Sequence, residues 1–129
     1  MVRKYLFASA FVLAATPALA AGFDDCTAPY APAALNGKTA TEEQMKHALS
    51  DVKDFIKWSD DYQDCVNNTL IAMKKAATKS KDKQPLDPAY QTEAEDRIHK
   101  NQLLKEKVAA EFNTAAKDYN DTHPSTKSP

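Results

Sequence analysis

Cysteine and histidine are the side chains best equipped for chemistry, and this sequence carries two of the first and three of the second. Cys26 and Cys65 form no C-x-x-C pair and no C-x-x-C-H haem-attachment motif, and no histidine neighbours either one. Redox catalysis and metal ligation therefore lack their usual spacing. In an oxidising compartment an even pair of cysteines most simply forms a disulfide. The loop it would close is about 40 residues, worth about 4 kcal/mol of chain entropy. His47, His99 and His123 are scattered, and only Glu43 with His47 and Glu95 with His99 stand at helical i,i+4 spacing. A bundle haem could use one Met and one His, here Met45 and His99, but these fall near opposite ends of the expected fold. We expect no metal and no cofactor.

Carboxylates are more plentiful. Asp51, Asp54, Asp60, Asp61 and Asp64 surround Trp58 in one stretch. A catalytic pair needs a cleft that perturbs its pKa values, and a surface helix provides none, so no enzyme is expected. The plain reading is a solvated face on which Lys53 and Lys57 pair with Asp60, Asp61 or Asp64. The sharper one is an interaction surface of Asp54, Trp58, Asp61 and Tyr62, an acidic patch with an aromatic anchor for a basic protein partner. The only glycines, Gly22 and Gly37, leave no room for a P-loop, a dinucleotide-binding fingerprint or a nucleophile elbow.

The elements that must carry these residues are legible from periodicity and punctuation. Met1-Val2-Arg3-Lys4 is a basic start, Tyr5 to Ala15 is apolar apart from Ser9, and Ala18-Leu19-Ala20 is an A-x-A cleavage pattern. Residues 1–20 are expected to be an export signal, cut after Ala20 or Ala21, which places the protein in the periplasm or outside the cell. The apolar run is about half the length of a membrane span, so no stable membrane insertion is expected after cleavage. The cut removes Arg3 and Lys4, leaving 15 basic against 18 acidic residues, a net charge of −3. A nucleic-acid partner is not expected of such a chain.

Residues 21–40 contain Pro29, Pro32 and Asn36-Gly37, which predict an extended arm ending in a turn where Gly37 supplies a positive φ. A helical hairpin follows over 41–120. Thr41-Glu42-Glu43-Gln44 fits a capping box, with Thr39 and Glu42 as a second possibility. Apolar residues then recur at three- and four-residue steps from Met45 to Ala77, predicting a helix over about 41–79. Asp87-Pro88 is a second start signal, and the stripe from Tyr90 to Tyr119 predicts a helix over about 88–119. Residues 121–129 are expected to be a disordered tail. The fold class is thus all-α: two long antiparallel helices with an N-terminal arm stapled by Cys26 and Cys65. On a 100° wheel Val52, Ser59 and Val66 centre the first stripe, and Trp58 and Cys65 form a second line beside it. The arm is expected to cover that line, packing Pro29, Tyr30 or Pro32 on Trp58 and Tyr62. A hairpin folded about residue 84 sets Asn101 opposite Val66, with Gln63 as its partner in a polar seam.

A helix over 41–79 would be about 58 Å long, whereas a compact domain of this size is about 35 Å across. Either the hairpin stays elongated and offers a face to a second copy or a protein partner, or the first helix breaks near Ser59-Asp60-Asp61 or Asn67-Asn68 into a three-helix bundle. The early Cys26, the proline-containing arm, Asn36-Gly37, Thr41-x-x-x-Met45, Val52-x-x-Phe55, Tyr62-x-x-Cys65, Lys105-x-x-Val108-Ala109-x-x-Phe112-Asn113 and Tyr119-Asn120 give a pattern that resembles small exported proteins of alphaproteobacteria with no assigned activity. The resemblance implies an α-helical periplasmic protein and brings no catalytic residues. The functional expectation is a non-enzymatic protein acting through protein–protein contact or as an envelope scaffold. The alternatives are an inhibitor or immunity protein for a secreted enzyme and, lower still, a small-ligand or metal carrier.

Overall fold

A computed structural model describes residues 22–124. The expected export signal and the last five residues of the expected tail lie outside that range. Two helices, α1 (Glu42–Lys79) and α2 (Pro88–Thr122), pack against each other, and no strand occurs among the described residues. Helix α1 is unbroken over 38 residues, about 57 Å at 1.5 Å per residue. The three-helix alternative is not formed. Ser59, where a break was considered, is fully buried in the helix seam.

Each terminus has a chemical cause. The Thr41 hydroxyl accepts from the Gln44 N–H at 3.2 Å, and the Thr41 N–H donates to Gln44 Oε1 at 2.8 Å. This reciprocal box satisfies two donors that the first turn leaves orphaned. Thr39 belongs instead to the preceding turn, with its N–H on the Asn36 carbonyl at 3.2 Å. Asp87 caps α2 through Oδ1 to the Ala89 N–H at 2.9 Å, with Pro88 in the first turn. Helix α2 runs through Asp121 and Thr122, which the sequence had assigned to the tail. Lys117 holds Asp121 at 2.6 Å across the last turn, and the His123 ring stacks on Tyr119 with centroids 4.3 Å apart.

The seam repeats every seven residues on both helices. Met45 packs with Ala115, Val52 with Val108, and Val66 with Ala94. Ser59 and Asn101 make the layer between the last two pairs, with Asn101 Nδ2 donating to Ser59 Oγ at 3.4 Å. The partner numbers in these layers show that the helices are offset from a symmetric hairpin, so Asn101 faces Ser59 rather than Val66. The loop explains the offset. Helix α1 runs about two turns past the start of α2, and residues 80–87 fold back beside it. Leu86 packs against the core cluster that also receives Met73.

The arm runs antiparallel to α1 along one face of the seam. Phe23 is 1% exposed among Tyr62, Val66, Leu70 and Ala94, with the Arg97 guanidinium 5.6 Å from its ring centroid. From there Cys26, Pro29, Pro32 and Leu35 turn toward the helices while the residues between them are exposed. A three-residue repeat is the geometry of polyproline II, which rises about 3.1 Å per residue. Nine residues of it span about 28 Å, close to the roughly 26 Å of helix between Cys65 and Ala48. The opposite face of the seam carries polar ties instead. Lys105 donates to Asp60 at 2.5 Å, Gln63 to Gln102 at 3.3 Å, and Lys74 to Gln91 at 2.5 Å.

Gly37 closes the arm over α2. Its φ is not positive, contrary to the turn expected from Asn36-Gly37. The Asn36 side chain makes the turn by accepting from the Lys38 N–H at 3.1 Å. Glycine is needed because a Cβ here would lie 1.8 Å from the Ala115 carbonyl oxygen.

Candidate interaction surface

Cys26 and Cys65 are joined, with S–S 2.04 Å and Cα–Cα 5.7 Å, and no free cysteine remains among the described residues. The Thr69 hydroxyl lies 3.6 Å from Cys26 Sγ. This bond pins the arm to the outer flank of α1, one turn from Tyr62 and two from Trp58. Between the pinned arm and the helix lies a groove of about 460 Å³, bordered by Pro29, Tyr30, Trp58, Asp61, Tyr62 and Cys65.

The arm covers this line only in part. Tyr62 is buried at 7% exposure, whereas Trp58 is 54% and Tyr30 95% exposed. The three-residue repeat of the arm accounts for the difference. It turns Pro29 and Pro32 inward and necessarily points Tyr30 out. The result is an indole and a phenol standing free beside a proline-lined trough. Rigid amphipathic rings of this kind recur as anchors at protein interfaces.

The carboxylates sort themselves around the indole. Asp61 pairs with Lys57 at 2.8 Å, and that contact raises the pKa of Lys57 through the Asp61 hydrogen bond first and its charge second. Asp60, expected to pair along its own helix, crosses to Lys105 of α2. Among the described residues Asp51 and Asp54 have no salt bridge, and both border a second, smaller groove between Trp58, Tyr30 and Pro32. Trp58 and Tyr30 therefore form a ridge between two grooves, with two carboxylates outside any salt bridge on one side.

Gln63 Nε2 donates to Asn101 Oδ1 at 2.8 Å, and no buried side-chain polar atom among the described residues lacks a partner. The cluster satisfies its own buried groups and continues through Gln102 to the surface. Ser59, its third member, was not singled out from sequence as a partner. Its heptad spacing from Val52 and Val66, matched by Asn101 between Ala94 and Val108, carried the signal. The histidines are not brought together. His47 lies 3.8 Å from Glu43, His123 caps the far end of α2, and His99 is exposed. Among the described residues no three His, Cys, Asp or Glu side chains converge as metal ligands would.

These features define a disulfide-stapled helical hairpin with an open aromatic ridge. No family model matches the chain, and no match is found among curated proteins or solved structures.

Proposed function

We propose that this is an exported, non-enzymatic helical protein that works by holding a protein partner along the Trp58 ridge. One observation carries the reading: a tryptophan more than half exposed, fixed beside a covalently tethered proline arm. A lone exposed indole is unfavourable to keep in water, and burying it against a partner would gain roughly 1.5–3 kcal/mol from its apolar area. The unpaired Asp51 and Asp54 favour a partner segment carrying lysine or arginine next to an apolar side chain. Export is supported by the basic, apolar and A-x-A order of residues 1–20 and by the disulfide. Among the described residues no helix is long and apolar enough to cross a membrane.

Those same two carboxylates favour the second reading, an inhibitor whose acidic ridge enters the basic cleft of a secreted enzyme. Affinity capture from envelope extract with the wild type and Trp58→Ala tests the first proposal. Loss of a specific partner in the variant, with helix content and disulfide unchanged, is expected. Identical capture by both forms removes Trp58 from any docking role. Dose-dependent inhibition of the captured enzyme would decide for the inhibitor.

A further inference from the structure

Most lysines without a salt bridge among the described residues gather at one end, with only Lys38 and Lys53 standing elsewhere. Lys74, Lys75, Lys79, Lys81 and Lys83 fall within ten residues, opposed in that stretch only by Asp82. All five are exposed. Along the rest of the helices Lys46, Lys57, Lys100, Lys105, Lys107 and Lys117 each hold a carboxylate. The five at the tip have no salt bridge among the described residues, and the contact of Lys74 is to the neutral Gln91. Asp87, the next acid in the loop, caps α2 and adds a second negative charge.

The helix dipole does not account for this cluster. A helix C-terminus carries roughly half a negative charge, and its influence ends within the last turn. Five lysines against Asp82 and Asp87 still leave a surplus several times larger, and Lys81 and Lys83 lie beyond the helix. The fold brings them to one place. Helix α1 overshoots the start of α2, and the loop returns beside it through a turn closed by Lys83 N–H to the Ser80 carbonyl at 3.1 Å. Lys83 adopts φ 45°, a left-handed conformation that a side chain enters at a cost. The basic groups therefore crown the narrow end of a rod about 57 Å long.

We propose that this tip docks end-on to the anionic phosphate headgroups of a phospholipid bilayer. A small projecting tip can press several ammonium groups at once onto a flat anionic surface, and basic clusters of four to eight residues bind such surfaces. Binding is peripheral and reversible, since no described helix can cross the membrane and the loop offers only the half-buried Leu86 as a large apolar group. Asp24 and Asp25 at the start of the arm and Glu95 on α2, which hold no basic side chain, lie back from the tip and repel the same surface. They favour the end-on pose over a sideways one. This proposal is independent of the Trp58 ridge, which stays exposed on the flank of a rod standing on its basic end.

Co-sedimentation of the full protein with vesicles tests it. Binding is expected to phosphatidylglycerol–phosphatidylcholine vesicles at low salt and not to phosphatidylcholine alone, and should vanish as salt shortens the Debye length. Each lysine near such a surface is worth about a fivefold factor. Lys79→Gln, Lys81→Gln and Lys83→Gln together should thus weaken binding about a hundredfold. The matching arginine variant should bind as wild type, and so should Trp58→Ala. Absence of binding to the anionic vesicles at low salt overturns the proposal, as does equal binding to neutral ones or full binding by the glutamine variant. A tip substitution that instead abolishes self-association without lipid would assign the lysines to the Asp51–Asp54 face of a second copy, and would equally overturn it.

Discussion

At the scale of single residues, two positions decide how the arm is held. The first is the cross-link. Cys65→Ser should lower stability by about 4 kcal/mol on the chain-entropy account, read as a shift of the urea midpoint, with the same shift when the wild type is reduced. The second is Gly37. Gly37→Ala places a methyl 1.8 Å from a backbone oxygen of α2, and relief requires moving main chain. A loss of about 1–3 kcal/mol is expected. Gly22→Ala is the control, because its nearest neighbour is the Tyr90 ring at 3.8 Å, and its urea midpoint should not fall. The cysteine pairing was legible because only two cysteines exist. The role of Gly37 was not. Asn-Gly signals a turn whichever way it works, and only the packing of the arm on Ala115 shows that the missing side chain matters more than the sign of φ.

At the scale of elements, the seam is an apolar zipper interrupted once. Ser59, Asn101 and Gln63 form a polar layer between two apolar clusters. Asn101→Ala should cost about 1–3 kcal/mol, since it leaves the buried Ser59 hydroxyl without its partner and Gln63 with only its longer bond to Gln102. Replacing the layer by apolar side chains, Ser59→Val with Asn101→Leu, should recover that stability and relax the register, as a buried polar pair does in helix seams. Disulfide trapping between cysteines placed across α1 and α2 would reveal the slipped forms. The heptads themselves were plain in the sequence. Their mutual register was not, because it depends on how the eight-residue loop folds back, and periodicity says nothing about an aperiodic segment. The start of α1 carries a pH signature. A hydrogen bond from Lys46, then its charge, holds the Glu42 carboxyl below its ordinary pKa. A depressed folded pKa contributes stability above the unfolded value, which is lost as pH falls through the folded one. Acidification below the usual carboxylate range should therefore fray the first turn before the seam opens. Amide exchange at residues 42–46 would report this, and Lys46→Gln should abolish the pH dependence.

At the scale of the whole molecule, length is the governing property. Small-angle scattering should give a maximum dimension near 60 Å, against about 35 Å for a compact chain of this size. A two-helix rod has little interior, so its core depends on a third layer, and the arm is that layer. Phe23 plugs one end and Leu35 the other, with the prolines between them supplying a stiff span that makes no ladder. The sequence showed that an arm existed and where it was fastened. Which of its residues face inward follows from the i,i+3 spacing of Cys26, Pro29, Pro32 and Leu35, a threefold period that a search for helices and strands passes over. Sequence offered Trp58 both as a surface anchor and as a residue under the arm, and the same threefold period decides for exposure.

One property of the staple concerns damage rather than stability. The bond between Cys26 and Cys65 turns the arm, its turn and the first half of α1 into a covalent ring. A protease cutting the exposed arm anywhere between residues 27 and 40 would open that ring without releasing a fragment. The clipped protein would migrate as one piece until a reductant separated its parts. A chain built this way tolerates a nick in its most accessible segment, and its integrity is better judged under reducing conditions than by its unreduced migration.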